Sequence, residues 1–163
     1  MTKLVTGSMQ STNLELAAEF HPTKNGDWTT DNLVAGTNRK LWWICKAVSE
    51  SPCGHVWQAY GSNRSRKNQG CPACSNLAVH NDGRNSMRAT NPELAEDFHP
   101  TKNRDLTPDN IIASTGKKLW WRCRECENEW ESTGSHRAKR GQSCPACSNR
   151  AIHSDGRNSM LRT

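Results

Sequence analysis

"KKLWWRCREC" (117–126) and "CPAC" (144–147) decide how this chain folds. Each stretch ends in a cysteine pair split by two residues, so both sulfurs of a pair can face one ion. Cys123, Cys126, Cys144 and Cys147 together make a four-thiolate set, the pattern of a tetrahedral zinc site. The 17 residues between the pairs suit a hairpin that carries the second pair over the first. Four thiolates close the coordination shell and leave no position for water or substrate. The site is therefore structural rather than catalytic.

The same text is written once earlier. "NLELAAEFHPTKN" (13–25) matches "NPELAEDFHPTKN" (91–103), and "DNLVAGTNRKLWW" (31–43) matches "DNIIASTGKKLWW" (109–121). "CPACSNLAVHNDGRNSM" (71–87) matches "CPACSNRAIHSDGRNSM" (144–160). The first copy supplies Cys45, Cys53, Cys71 and Cys74. Seven residues separate Cys45 from Cys53, against two between Cys123 and Cys126, so one loop carries an insertion. "NSM" and its variant "GSM" mark the joints. Two tandem domains are expected, 7–84 and 85–163, the second ending where a third would begin.

Apolar residues make up 33% of the 163, too few for two cores of this size to be stable unaided. "MTKLVTGSMQ" has no apolar leader and no run is long enough to span a membrane. A cytoplasmic setting is expected, with nucleoid, ribosome or viral contexts open. Thiols stay reduced there, which favours metal over disulfides. Buried free cysteine and an iron–sulfur cluster are the competing readings. Two matched sets of four favour two structural zinc ions, one per repeat.

The fold class read from these patterns is small, metal-stapled α+β. Each repeat opens with a short helix, with Asn91 and Pro92 at its start in the second copy. The residue before Pro in "HPTKN" ends that helix, and a second turn or short helix starts at Thr29–Asp31 and at Thr107. "RKLWWIC" and "KKLWWRC" read as strands, as do "HVWQAYG" and "NEWESTG". Adjacent strand residues face opposite ways. One of Trp42 and Trp43, and one of Trp120 and Trp121, therefore enters the core; the other faces out or covers the metal. Trp57 and Trp130 are expected inside. His55 has Asn128 as its counterpart, and His80 pairs with His153; all three histidines read as packing or hydrogen-bonding groups, not ligands. His21 and His99 read as helix-end structure.

With these residues in place the chain resembles the probable zinc-ribbon domain family, found in tandem copies in bacteria, archaea and large DNA viruses. The resemblance rests on P-x-L-A-x-E/D-[WF]-H, the W-W-x-C strand, the basic turn and C-P-x-C. Phe20 and Phe98 stand where that family favours Trp, and Glu127-Asn128 replaces its Gly-His pair. The family is similar to the zinc-binding part of very-short-patch-repair endonucleases. The resemblance implies two tandem zinc ribbons, each a short helix with a small antiparallel sheet and two knuckles, and association with nucleic acid.

Lys and Arg number 22 against 16 Asp and Glu, a net +6, which suits an acidic partner. Arg64, Arg66 and Lys67 match Arg137, Lys139 and Arg140 in the turn before "CPAC", and Arg39-Lys40 and Lys117-Lys118 precede the Trp pair. These ten are the expected nucleic-acid contacts, aided by exposed Trp. The expectation is a non-catalytic DNA- or RNA-binding module. One alternative is an adaptor docking on a nuclease, polymerase or ribosome. A lesser one is a nuclease fragment using His80 with Asp82 or His153 with Asp155, although Asp-Gly is first a turn signal.

Overall fold

The computed structural model describes residues 6–46, 53–153, 156, 158 and 159. The chain divides into two compact units, Met1–Ser75 and Asn76–Thr163. Residues 76–85 thus belong with the second unit, although the sequence repeat turns over at 84/85. Unit 1 runs α1 (Met9–Thr12), α2 (Leu14–Ala18), β1 (Lys40–Ile44), β2 (Val56–Tyr60) and α3 (Gly61–Arg66). Unit 2 repeats the order as α4 (Met87–Thr90), α5 (Pro92–Glu96), β3 (Lys118–Arg122), β4 (Glu129–Thr133) and α6 (Gly134–Arg140).

The "GSM" and "NSM" joints are more than connectors. Ser8 and Ser86 cap the one-turn helices α1 and α4, accepting from the Ser11 and Ala89 N–H groups. Met9 and Met87 behind them are fully buried. Asn13 caps α2 through Leu16 N at 3.0 Å. Asn91 stands at the cap position of α5 but makes no such bond. Its Oδ1 instead accepts from the Thr90 hydroxyl, and Pro92 alone presets the first turn.

Each unit, among the described residues, holds one two-stranded antiparallel sheet, β1 with β2 and β3 with β4. Trp43 lies opposite Trp57, and Trp121 opposite Trp130. All four face inward; Trp43 and Trp121 are completely buried. Their indole N–H groups donate to Ala59 O and Ser132 O, both at 3.0 Å, so burial leaves no orphan donor there. The helix–strand turn adds Phe20 and Phe98 edge-on to these indoles at 5.8 Å. Those phenylalanines also bridge β1 and β3 as the start of a third strand. Trp42 and Trp120 take the outward face, half-exposed, with Lys24 and Lys102 over their rings at 4.7 and 4.6 Å.

The repeated Asn of "HPTKN" finishes the strand edge. Asn103 Oδ1 accepts from Trp120 N at 2.8 Å while its Nδ2 donates to Trp120 O at 2.9 Å. Asn25 does the same for Trp42. A side-chain amide here imitates a neighbouring strand. His99 turns the chain, its Nδ1 accepting from Thr101 and Lys102 N and its Nε2 donating to Glu129. The Lys102 and His99 bonds hold the Glu129 carboxyl down at about 2. Replacing Asn103 with alanine leaves the Trp120 N–H without its partner, while Trp120 O keeps only the His99 N–H at 3.1 Å. The expected cost is about 1–3 kcal/mol, seen as a lower urea midpoint with unchanged m.

Candidate metal centres and basic surface

Each hairpin carries its first two cysteines in the turn that joins its two strands. Cys45 follows β1 and Cys53 precedes β2; Cys123 and Cys126 do the same for β3 and β4. In unit 1 Cys45 Sγ lies 3.7 Å from Cys74 Sγ, Cys53 3.6 Å from Cys71, and Cys74 3.5 Å from Cys53. In unit 2 the matching separations are 3.7, 3.7 and 3.3 Å. All four ligand atoms of each set lie within 4.8 Å of one another. A disulfide needs about 2.05 Å. A tetrahedron with Zn–S near 2.3 Å has sulfur edges of about 3.8 Å. The donor sets therefore fit two structural zinc ions, one per unit, and the seven-residue spacing in unit 1 does not spoil the fit.

Four thiols at this distance are poor company without a cation. Burial pushes Cys71 up to about 11, and burial with sulfur contacts pushes Cys74 higher still. Sulfur contacts and then burial push Cys147 up in the same way. Burial also raises Cys53, but the His55 N–H and the surrounding thiols outweigh it and bring this thiol below its ordinary value. In unit 1 the Cys53 proton leaves more easily, while those of Cys71 and Cys74 resist. A divalent ion reverses that resistance, because it holds the thiolate form of every ligand.

The backbone of the knuckles explains the residues between and after the cysteines. Gly54 follows Cys53 in left-handed conformation, φ +61°, and Glu127 follows Cys126 at φ +58°. Glu127 accepts the strain that Gly54 avoids. Cys45 N donates to His55 O and Cys123 N to Asn128 O, so the main chain does the shared work at this position. His and Asn are thereby both tolerated. Asn128 Nδ2 also reaches Cys144 Sγ at 3.8 Å, while the His55 ring stacks on Trp57. The "CPACSN" ending closes on Asn76 and Asn149, both left-handed at φ +53° and +55°. Neither His80 nor His153 joins a cysteine set. His80 Nδ1 meets Arg84, which pairs with Asp82 in an exposed turn. Asp155 lies outside the described residues.

A profile described as a probable treble clef zinc finger domain matches residues 16–77 and again 94–150. The chain belongs to that family. The match bears out the expected tandem zinc-binding family with its two four-cysteine sites, and the profile describes each copy as a treble clef zinc finger. Among curated proteins no sequence matches the chain.

The ten basic residues do not act alike in these zinc fingers. Arg64 and Arg137 are corrections to the expected contact set, because both side chains are buried, 6% and 7% exposed. Arg64 pairs with Glu19 and donates to Gln69 O; Arg137 pairs with Asp97 and donates to Gln142 O. Each guanidinium lies between two core indoles, about 5 Å from both: Trp43 and Trp57, or Trp121 and Trp130. Neither can reach a partner.

The other eight are exposed. Lys118 is half-engaged with Glu131 at 3.3 Å. Arg39 covers the exposed Trp28 ring at 3.9 Å. The glycine at the head of each basic helix then decides what gathers. A Cβ on Gly61 would stand 2.7 Å from Thr37 Cγ2, and one on Gly134 2.5 Å from Ala113 O. Only glycine lets α3 and α6 press onto the turn before β1 and β3. That contact sets Arg66 across Gly36, and Gly61 N donates to Arg39 O.

Proposed function

We propose that this chain is a non-catalytic tandem zinc-finger module that binds nucleic acid, DNA or RNA, through the exposed part of its basic surface. One observation carries the reading. The helix-on-turn contact at Gly61 brings Arg66 beside the Arg39 turn, joining cations that the sequence keeps far apart, and Gly134 repeats the contact near Lys117. Guanidinium groups suit phosphate, and Trp28 under Arg39 offers a face on which a base can stack. Closed four-cysteine sites offer a substrate no coordination position, which supports a binding role over metal-centred catalysis. Two linked fingers on one polymer gain from effective concentration.

The test is a salt titration of affinity for single-stranded and duplex DNA and RNA. Binding should fall steeply with salt, and Lys67→Glu and Arg140→Glu should each lower the slope of log Kobs against log salt by about 1. Absence of binding to all four polymers at low salt rejects the proposal. Protein capture that survives nuclease treatment would then favour an adaptor.

A further inference from the structure

The two hairpins agree on one face and differ on the other. The inward residues Leu41, Trp43, Trp57 and Ala59 are answered by Leu119, Trp121, Trp130 and Ser132. Strand alternation puts the remaining residues outward. In unit 1 these are Lys40, Trp42 and Ile44, opposite Tyr60, Gln58 and Val56. In unit 2 they are Lys118, Trp120 and Arg122, opposite Thr133, Glu131 and Glu129. The outward face of the first hairpin thus carries a tyrosine and no acid, where the second carries a threonine and two glutamates.

The acids change what surrounds the outward tryptophan. Lys102 lies over the Trp120 ring at 4.6 Å and is held there by Glu129. Lys118 pairs with Glu131 at 3.3 Å, and Arg122 with Glu127 at 2.8 Å. The cations of that face are answered within the unit. Lys24 lies over the Trp42 ring at 4.7 Å in the same way, but Val56 stands where Glu129 would meet it. Among the described residues neither Lys24 nor Lys40 has an acidic partner.

Tyr60 is 46% exposed, and Trp42 is half-exposed. They are diagonal neighbours on one face, about 7–8 Å apart in ordinary antiparallel geometry. Gln58 stands directly across from Trp42 and offers an amide to a base edge. The Lys40–Tyr60 end of this face runs straight into the basic turn, because Gly61 N donates to Arg39 O at 3.2 Å. Both units leave the outward face open: Lys40 and Gln58 are exposed in one, Lys118 and Glu131 in the other. Its exposure is a property of the hairpin itself.

We propose that the outward face of β1 and β2 is a stacking platform for single-stranded nucleic acid, with unpaired bases on Trp42 and Tyr60 and phosphates on Lys24 and Lys40. The proposal rests on the nucleic-acid reading above and narrows it to single strands and to the first finger. Every base has a π-face, so an aromatic platform takes single strands of any sequence. A duplex keeps those faces stacked against one another. Lys24 is tied to Trp42 by the ring contact alone, so a base can take its place while the ammonium moves to a phosphate. In unit 2 Glu129 holds Lys102 over Trp120, and Glu129 and Glu131 repel a phosphate chain. That face stays closed.

Affinities of the full, zinc-loaded chain for oligo-dT, oligo-rU and a duplex of the same length test this at low salt. At least one single strand should bind about tenfold or more tighter than the duplex, and the two oligomers show which sugar is preferred. Trp42→Ala and Tyr60→Ala should each weaken that binding about fivefold or more, with zinc content unchanged as the check on folding. Trp120→Ala should leave it alone. Val56→Glu with Gln58→Glu gives the first hairpin the acids with which the second already folds, and should weaken binding as much. Equal affinity for the duplex, or binding indifferent to Trp42→Ala and Tyr60→Ala, overturns the proposal. If Lys67→Glu still weakens binding in that case, the broader nucleic-acid reading survives it. Absence of binding to every polymer overturns both. Polyglutamate tests an acidic peptide as the occupant; binding as tight as that of the single strand also overturns the platform.

Discussion

A strong chelator unfolds both zinc fingers, and Cys144→Ser unfolds the second while leaving the first folded. Structural zinc contributes on the order of 10–16 kcal/mol of apparent binding energy, against about 5–15 kcal/mol for the net stability of a whole domain. The apolar clusters of these units hold about a dozen buried side chains each, and four of those in unit 2, or three in unit 1, are cysteines or the alanine between them. Take away the ion and the thiols must share a volume in which Cys71 and Cys74 resist ionisation. Neither the core nor the sulfur cluster then holds the hairpin turn in place. Near-UV circular dichroism reads the loss through the buried Trp residues, and zinc content should fall from two equivalents to one in Cys144→Ser. Chelated protein with an unchanged near-UV spectrum would contradict the argument.

The metal centres were legible because ligand spacing is a local property of the chain. Cys-x2-Cys fixes two sulfurs on one turn whatever the rest does, and the repeat located the matching set where spacing alone was loose. The strands were legible for a similar reason, since Trp-Trp can send only one ring inward. Which ring goes in was not legible. That depends on Phe20 and Phe98, which bridge to Trp43 and Trp121 from a helix end more than 20 residues away. The role of the "HPTKN" asparagine was hidden too, because its partner is the main chain of a distant strand.

The basic turn was misread as one patch, although a signal was present. Arg66 is answered by Lys139 and Lys67 by Arg140, so charge alone serves at those positions. Arg64 is answered by Arg137, and an acid, Glu19 or Asp97, stands in each copy to meet it. A planar fork is required there and a point charge is not enough. Residues two apart on a helix also face nearly opposite ways. A turn that became helical was bound to separate Arg64 from Arg66.

Arg137→Ala should destabilise the second finger by about 3–5 kcal/mol, whereas Arg140→Ala on the same helix should stay within about 0.5 kcal/mol of wild type. The asymmetry follows from what each side chain touches. Arg137 supplies the positive charge for Asp97, which is itself only 18% exposed, donates to Gln142 O, and fills the space between Trp121 and Trp130. Its loss strands a carboxylate whose remaining cation, Arg124, is exposed, and it opens a hole between two indoles. Lys at this position keeps the charge but cannot span Asp97 and Gln142 at once, so Arg137→Lys should fall between the two. Asp97→Asn combined with Arg137→Met should recover much of the loss, because an apolar replacement leaves no buried charge unpaired. Urea unfolding of the zinc-loaded protein separates these outcomes. An Arg137→Ala protein as stable as wild type would return this residue to the surface, and with it the reading of the whole basic turn as a nucleic-acid contact.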